Sequence, residues 1–527
     1  MRGPPNISRR AGTRLPAVNE ATARTYALPA PYNGWNARGN LANMGPLDAI
    51  VMDNVFPGVQ EVSLRPGSID WVTGFGSNVK ALIPYNGATS TKLFASTSTN
   101  IYNVTASGAV GASVAACTSG LWESVNYTNT GGSWIVLANG VDNVKVYDGT
   151  TWTTVTGVSV PAITGVTTST LSYVTAHKKR LWFIQKDSMN LWYMPVDSIG
   201  GAAAQYPVGA LFRKGGYLTA IGTWTIDGGN GTDDYFVIVT SAGEIAIYQG
   251  TDPASSSTWA LVGVYDVAPP VGKKPLVDFG GDLLYLSQNG LIPLSKLAQS
   301  ILVDRSQAIS FRIDGAFLEA AENYGSVSGW CMTVHKKQSA LIVNVPISAD
   351  TVSYQYVMNT ITGAWCRFLS WNASCWTVSG SDVYYGGGTV VRKAWVGTSD
   401  NGVAISAQIS QSYNSYGYSG QKNLSMVRPN ISVAGSATLA MAFDADFKTF
   451  GGNTQVTYFP LSSSALWDTS LWGTGTWDGG ATSVEPRWLT VPGELGYLHS
   501  FRLQLTTSTA SFSWTSTNFA YRPAGIL

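Results

Sequence analysis

Charge is scarce in this sequence. Asp, Glu, Lys and Arg make up 12% of its 527 residues, about half the usual share. The 32 basic and 31 acidic residues leave a net charge of +1, so no global field marks a nucleic-acid or anionic-membrane binder. Histidine is scarcer still. His177, His335 and His499 give a His-based nucleophile triad little material. The four cysteines, Cys117, Cys331, Cys366 and Cys375, show no C-x-x-C or His-rich spacing, so no zinc site or other metal site is expected. Cys366 and Cys375 adjoin Trp365 and Trp376 and are candidates to face each other across a hairpin; the plainer reading is buried free thiols in a reducing compartment. No G-x-x-x-x-G-K-[ST] loop occurs, so no nucleotide cofactor is expected. No apolar run approaches about 18 residues and the first residues carry no apolar signal core, which predicts synthesis and first assembly in the cytoplasm.

What is abundant is Gly, Ser, Thr, Val and aromatic side chains, with 57 Gly, 19 Trp, 25 Tyr and 17 Phe. That is the vocabulary of short strands joined by tight turns. A strand–turn–strand phrase repeats along the chain. One copy is Ser133-Trp134-Ile135-Val136-Leu137-Ala138-Asn139-Gly140, followed by Val144-Lys145-Val146-Tyr147-Asp148-Gly149; another is Asp234-Tyr235-Phe236-Val237-Ile238-Val239, followed by Gly243-Glu244-Ile245-Ala246-Ile247-Tyr248. Leu93, Trp134, Leu181, Tyr235, Leu283, Leu341 and Val383 recur at intervals of about 40 to 60 residues. Such a period in an all-β sequence predicts propeller blades, each too small to bury its own faces alone. The reading is therefore all-β: a β-propeller of six to seven blades over 76–398, with an additional β-sandwich platform formed by terminal segments. Residues 1–30, basic and Pro-rich, read as an extended arm or as disorder. Residues 31–75 read as an N-terminal platform segment, and 399–527 as a C-terminal sandwich, because strands there lengthen and alternate cleanly. Within the propeller, 201–216 reads as a Gly/Ala-rich loop. Residues 295–325 alone have helical character, with Asp314 a candidate cap.

Few constellations carry chemistry. Asp148-Gly149-Thr150-Thr151-Trp152 resembles the Asp-box turn of sialidase propellers, one residue short, but no arginine cluster or Tyr/Glu nucleophile pair accompanies it. Asp227, Asn230, Asp233 and Asp234 alternate like calcium ligands but lack the closing Glu, which favours a polar turn. His177-Lys178-Lys179-Arg180 and His335-Lys336-Lys337 read as one hairpin turn in two blades, either solvated or facing DNA phosphates or an acidic neighbour. Trp467, Trp472 and Trp477 recur every fifth residue. They pin a loop onto the sandwich, anchor an interface or stack on carbohydrate. No catalytic residue emerges, and no enzyme is expected. The low charge suggests that much of the outside is covered in an assembly.

Phrases spread over most of the chain resemble the tail nozzle proteins (tail tubular protein B-like) of short-tailed bacteriophages. They are Asn40-Leu41-Ala42-Asn43-Met44-Gly45-Pro46-Leu47-Asp48 running on to Phe56-Pro57; Val62-Ser63-Leu64-Arg65-Pro66-Gly67; Gly209-Ala210-Leu211-Phe212-Arg213-Lys214-Gly215-Gly216; Gly250-Thr251-Asp252-Pro253 with Trp259 to Tyr265; Val357-Met358-Asn359 to Gly363-Ala364-Trp365; and Tyr521-Arg522-Pro523 to the end. The resemblance implies a structural virion protein, assembled in the host cytoplasm and resident in the tail. It implies a homo-oligomeric ring, expected to be a hexamer, docked on the tail adaptor (the head-to-tail connector) and neighbouring the tail fibre or spike proteins. DNA would pass during genome ejection without sequence-specific binding, and contact with the host surface stays open. Two other readings remain: a receptor- or glycan-binding propeller, and a sialidase-like glycosidase. Under the nozzle reading, Trp467, Trp472 and Trp477 are the interface candidates.

Overall fold

The computed structural model describes residues 23–227, 232–297, 305–458, 482–484 and 487–524. The chain is a β-propeller joined edge to edge to a β-sandwich. Six blades are sheets of their own: blade 1 over 81–116, blade 2 over 123–154, blade 3 over 171–207, blade 4 over 218–266, blade 5 over 276–293, and the last, blade 7, over 375–394 plus Ser68–Thr73. The sector between blades 5 and 7 is filled by 331–368, which we call blade 6. Its four strands open a nine-stranded sheet that runs on into the sandwich. The innermost strands touch in cyclic order and close the ring.

The seven recurring anchors each fall in the second strand of successive blades, for example Leu181 in Arg180–Gln185 and Leu341 in Ala340–Ser348. These strands are apolar on both faces because each face meets a neighbouring blade. Leu181 and Phe183 pack toward Val136 and Val146 of blade 2, whereas Trp182 and Ile184 pack toward Phe236 and Ile238 of blade 4. Burying Leu181, Phe183 and Ile184 contributes about 5–9 kcal/mol, none of which an isolated blade would realise. The aromatic stack of Trp182 on Trp259 (5.5 Å) and of Trp259 on Tyr248 (5.4 Å) sits in the same seam.

Ring closure uses the two ends of the propeller segment. Ser68–Thr73 pairs antiparallel with Val390–Ala394, so part of the expected platform segment 31–75 is the outer strand of blade 7. The same segment supplies Ala49–Asp53, which pairs parallel to blade 6 through Asp53 and Arg367 and antiparallel to Ile405–Gln411. Arg24–Pro29, inside the expected N-terminal arm, pairs with Ser511–Pro523 in the second sandwich sheet. One hydrophobic core runs from Leu503 and Phe519 of the sandwich to Leu284 and Trp330 of the propeller. The sandwich is therefore not a separate body, because blade 6 has an open outer edge and the platform strands satisfy it.

Several local expectations are corrected. Ala204–Pro207, inside the expected loop 201–216, is the outer strand of blade 3. Asp314 does not cap the helix Asp314–Tyr324; it lies in its first turn, 3.9 Å from Arg305. Cys366 and Cys375 do not face each other: Cys366 lies opposite Val357 in blade 6 and Cys375 opposite Gly386 in blade 7, and both are free thiols. The two basic turns both link first and second strands, but their geometries differ. Lys178 and Lys179 take φ of +45° and +58°, whereas 336–338 form a 3-10 turn closed by Ser339 at φ +50°. His177 and His335 are buried rather than solvated, whereas Lys178 does meet an acidic neighbour, Asp234 of blade 4, at 2.8 Å.

Candidate functional site

Two places in the fold concentrate polar chemistry. One is the mouth of the propeller. Glu123 opens the innermost strand of blade 2, and Lys274 precedes that of blade 5. These blades lie across the ring from each other, yet Lys274 Nζ stands 3.2 Å from Glu123 Oε2 and also donates to the Trp122 carbonyl at 3.4 Å. The ion pair thus bridges the axis. Burial pushes the Glu123 carboxyl above its usual range, against the pull of Lys274. Burial alone would lower the Lys274 ammonium, but Glu123 outweighs it and holds it up. Beside the bridge a cavity of about 400 Å³ is lined by Leu121, Val141, Tyr173, Tyr217, Lys186 and Lys273, among others. A second, of about 200 Å³, shares Leu121, Glu123 and Lys273 and reaches Trp330 and Cys375. Burial pushes the Cys331 thiol up to about 12 and the Cys375 thiol up to about 11, so neither is a ready nucleophile at neutral pH.

The other place is the joint between propeller and sandwich. Arg65 is fully buried. Its Nη1 and Nη2 donate to the two Asp400 oxygens at 3.0 and 2.6 Å, Nη2 also to Leu369 O at 2.9 Å, and Nε to Asn54 Oδ1 at 2.8 Å. The guanidinium lies 4.5 Å from the Trp371 ring centroid, and Trp371 Nε1 donates to Asp400 Oδ1 at 2.8 Å. Asn54, at φ +56°, accepts from Leu369 N and donates to Ser406 O. Arg367 binds Asp53 through two 2.8 Å hydrogen bonds, and Asn359 Nδ2 donates to Pro57 O at 2.9 Å. At Gly67 the chain crosses the segment leaving the propeller. A Cβ there would lie 1.9 Å from Ser399 O, so only glycine fits. Planar bidentate geometry explains Arg rather than Lys at 65.

The residues singled out from sequence distribute as follows. Trp467, Trp472 and Trp477 lie outside the described residues, as do 228–231 of the alternating acidic loop; Asp234, at the end of that loop, is bound by Lys178 and Thr225. Asp148 caps its own turn, accepting from the backbone N–H groups of Thr150 and Thr151 and from both hydroxyls. Those bonds outweigh burial and hold its carboxyl below the usual range. The Asp-box likeness is thus a turn device that seats Trp152 5.0 Å from Phe94 and from Tyr147. A similar clasp joins neighbouring blades, where Asp142 of blade 2 accepts from Thr118 N and Ser119 N. No group of three or more His, Cys, Asp or Glu side chains fit to hold a metal ion occurs among the described residues. Sequence reasoning missed Glu123, Lys273, Lys274 and Asp400. The Arg-Pro-Gly phrase at 65–67 was a signal for the joint, but the mouth left none.

No family model and no curated sequence matches the chain. Solved structures with similarity include BBS1N in complex with ARL6DN (10% identity, 63% of this chain and 98% of that one, TM-score 0.38). Others are Sqt1 of Saccharomyces cerevisiae (11%, 66% and 96%, TM-score 0.37) and a putative 6-phosphogluconolactonase of Bacteroides fragilis (12%, 68% and 92%, TM-score 0.34). What the chain is thus rests on its own topology: a β-propeller whose sixth sector is built into a sandwich.

Proposed function

We propose that this chain is a non-enzymatic, ring-forming subunit of a short phage tail, a nozzle protein that docks on an adaptor ring and encloses the path of the ejected genome. The observation that carries the reading is where the nozzle-like phrases fall. Those at 40–57, 62–67 and 357–365 are separated by up to about 300 residues, yet they meet at one joint through Arg65, Asn54 and the Asn359–Pro57 bond. These three phrases thus form one hydrogen-bonded joint rather than unrelated surface turns. A rigid coupling of propeller to platform suits a subunit that must hold a ring under the pressure of packaged DNA.

The propeller axis is not the genome's path in this reading. A duplex whose major groove alone is about 12 Å wide does not pass a mouth bridged by a 3.2 Å ion pair. DNA would run between copies, and few free cations should line that path, because each phosphate contact adds salt-sensitive affinity that opposes sliding. Purified chain, alone and mixed with filled heads lacking this protein, is examined by negative-stain microscopy. Rings with an axial hole, or tails restored to the heads, support the reading. Chain that stays monomeric in both settings, together with its absence from purified virions, rules it out. In the same assay a soluble Trp472→Ala/Trp477→Ala variant should fail to join heads if those side chains anchor the ring.

A further inference from the structure

We propose that the mouth of the propeller, on the side of Leu121, Val141 and Tyr217, is a docking site for an apolar–acidic peptide segment of a partner protein. The proposal stands independently of the tail reading. Three large apolar side chains that the fold leaves in solvent, Leu121 (38% exposed), Val141 (49%) and Tyr217 (46%), line one and the same cavity. They come from three different connections, between blades 1 and 2, within blade 2 and between blades 3 and 4. Scattered exposed apolar residues are ordinary; three converging on a concave site of about 400 Å³ mark a binding surface.

The charges around the cavity choose the ligand. Lys186 and Lys273 line it, and both are exposed, with no side-chain hydrogen bond or ion pair among the described residues. Glu123, which also lines it, is held by Lys274 of the adjoining cavity, and Lys80 of that adjoining cavity is held by Asp350. Asp187 is the one uncompensated acid among the lining residues. The free cations therefore exceed the free acids, and they stand beside apolar side chains. A ligand complementary to both carries carboxylates next to aliphatic groups. A neutral sugar would leave the lysines unanswered, and a bare phosphate would leave the apolar rim in water. An extended acidic peptide with alternating aliphatic residues satisfies both, its ends free to run over the rim.

The test uses the full chain and a fluorescein-labelled, amidated hexapeptide of alternating Leu and Asp, read by fluorescence anisotropy. The control is the same peptide with Asn for Asp. The expected result is saturable binding of the Leu-Asp peptide that weakens with added salt. It should weaken at least tenfold in the Lys186→Ala/Lys273→Ala variant, and similarly in Val141→Asp, which places a like charge on the exposed rim. All three substitutions are at exposed positions, and unchanged circular dichroism confirms folding. Equal binding of the Leu-Asn peptide, unchanged affinity in the lysine variant, full competition by free aspartate or inorganic phosphate at equal concentration, or no saturable binding up to millimolar peptide would each overturn the proposal.

Discussion

Replacing Arg65 by Met tests whether the propeller and the sandwich are one cooperative unit. Met keeps most of the length and apolar volume of the side chain but removes the charge and all its donors. Among the described residues, Asp400, whose side chain is 14% exposed, then keeps only Trp371 Nε1 at 2.8 Å and Ser68 Oγ at 3.2 Å. The Leu369 and Pro66 carbonyls lose donors as well. Removing one partner of a buried pair costs about 3–5 kcal/mol, because the other charge stays buried without compensation. Against a total stability on the order of 5–15 kcal/mol, that is a large fraction. The assay is urea unfolding followed by tryptophan fluorescence and by far-UV circular dichroism. The native chain should give coincident transitions, since one core and one sheet span both parts. Arg65→Met should shift the midpoint down and separate the two probes. Asp400→Asn alone should also destabilise. The double variant should be less destabilised than the sum of the two, with a coupling of about 1–3 kcal/mol. Loss of under about 1 kcal/mol in Arg65→Met, or strict additivity of the pair, would refute the argument that this ion pair holds the joint.

Further outcomes follow from single sites. Gly67→Ala should abolish soluble expression or cost more than about 3 kcal/mol in urea unfolding, because its Cβ meets Ser399 O at 1.9 Å and backbone cannot yield as a side chain can. Asp148→Ala should cost about 1–2 kcal/mol, as loss of a comparable cap does, and raise amide exchange at Thr150 and Thr151 while blade 4 is unaffected. Stability should fall on acidification: burial lowers His177 from 6.5 to about 4, and lowers His335 and His499 as well. The unfolded chain then takes up protons first, so stability is full above about pH 6.5 and is lost as pH falls toward 4, by about 3 kcal/mol for His177. His177→Phe should flatten that slope between pH 6.5 and 4 in thermal melts, and an unchanged slope would show that His177 is not the titrating group.

The local alternation and turn chemistry of the sequence were sufficient to identify the blades. Leu181, Tyr235 and Leu341 announce second strands because those strands are buried on both faces, and that leaves a continuous apolar run in the text whatever the neighbours are. The Arg65-Pro66-Gly67 phrase stood out only as part of the resemblance to nozzle proteins, with no role assigned to it. What those residues touch was not legible. Asp400 lies 335 positions away, and nothing in its own neighbourhood distinguishes it from a turn aspartate. The partition into arm, platform, propeller and sandwich rested on changes of texture. It missed that 68–73 closes blade 7 and that 24–29 joins a sandwich sheet, since strand pairing is decided by which edges remain unsatisfied once the blades have formed. The mouth was invisible for a related reason. Glu123 and Lys274 belong to blades 2 and 5, and their contact, the apolar rim beside it and the unpaired lysines come into being only when the ring closes. Sequence determined the repeating unit, because its forces act between residues a few positions apart. Tertiary structure alone decided the joint and the mouth, because both are made of side chains that ring closure and edge pairing bring together from distant parts of the chain.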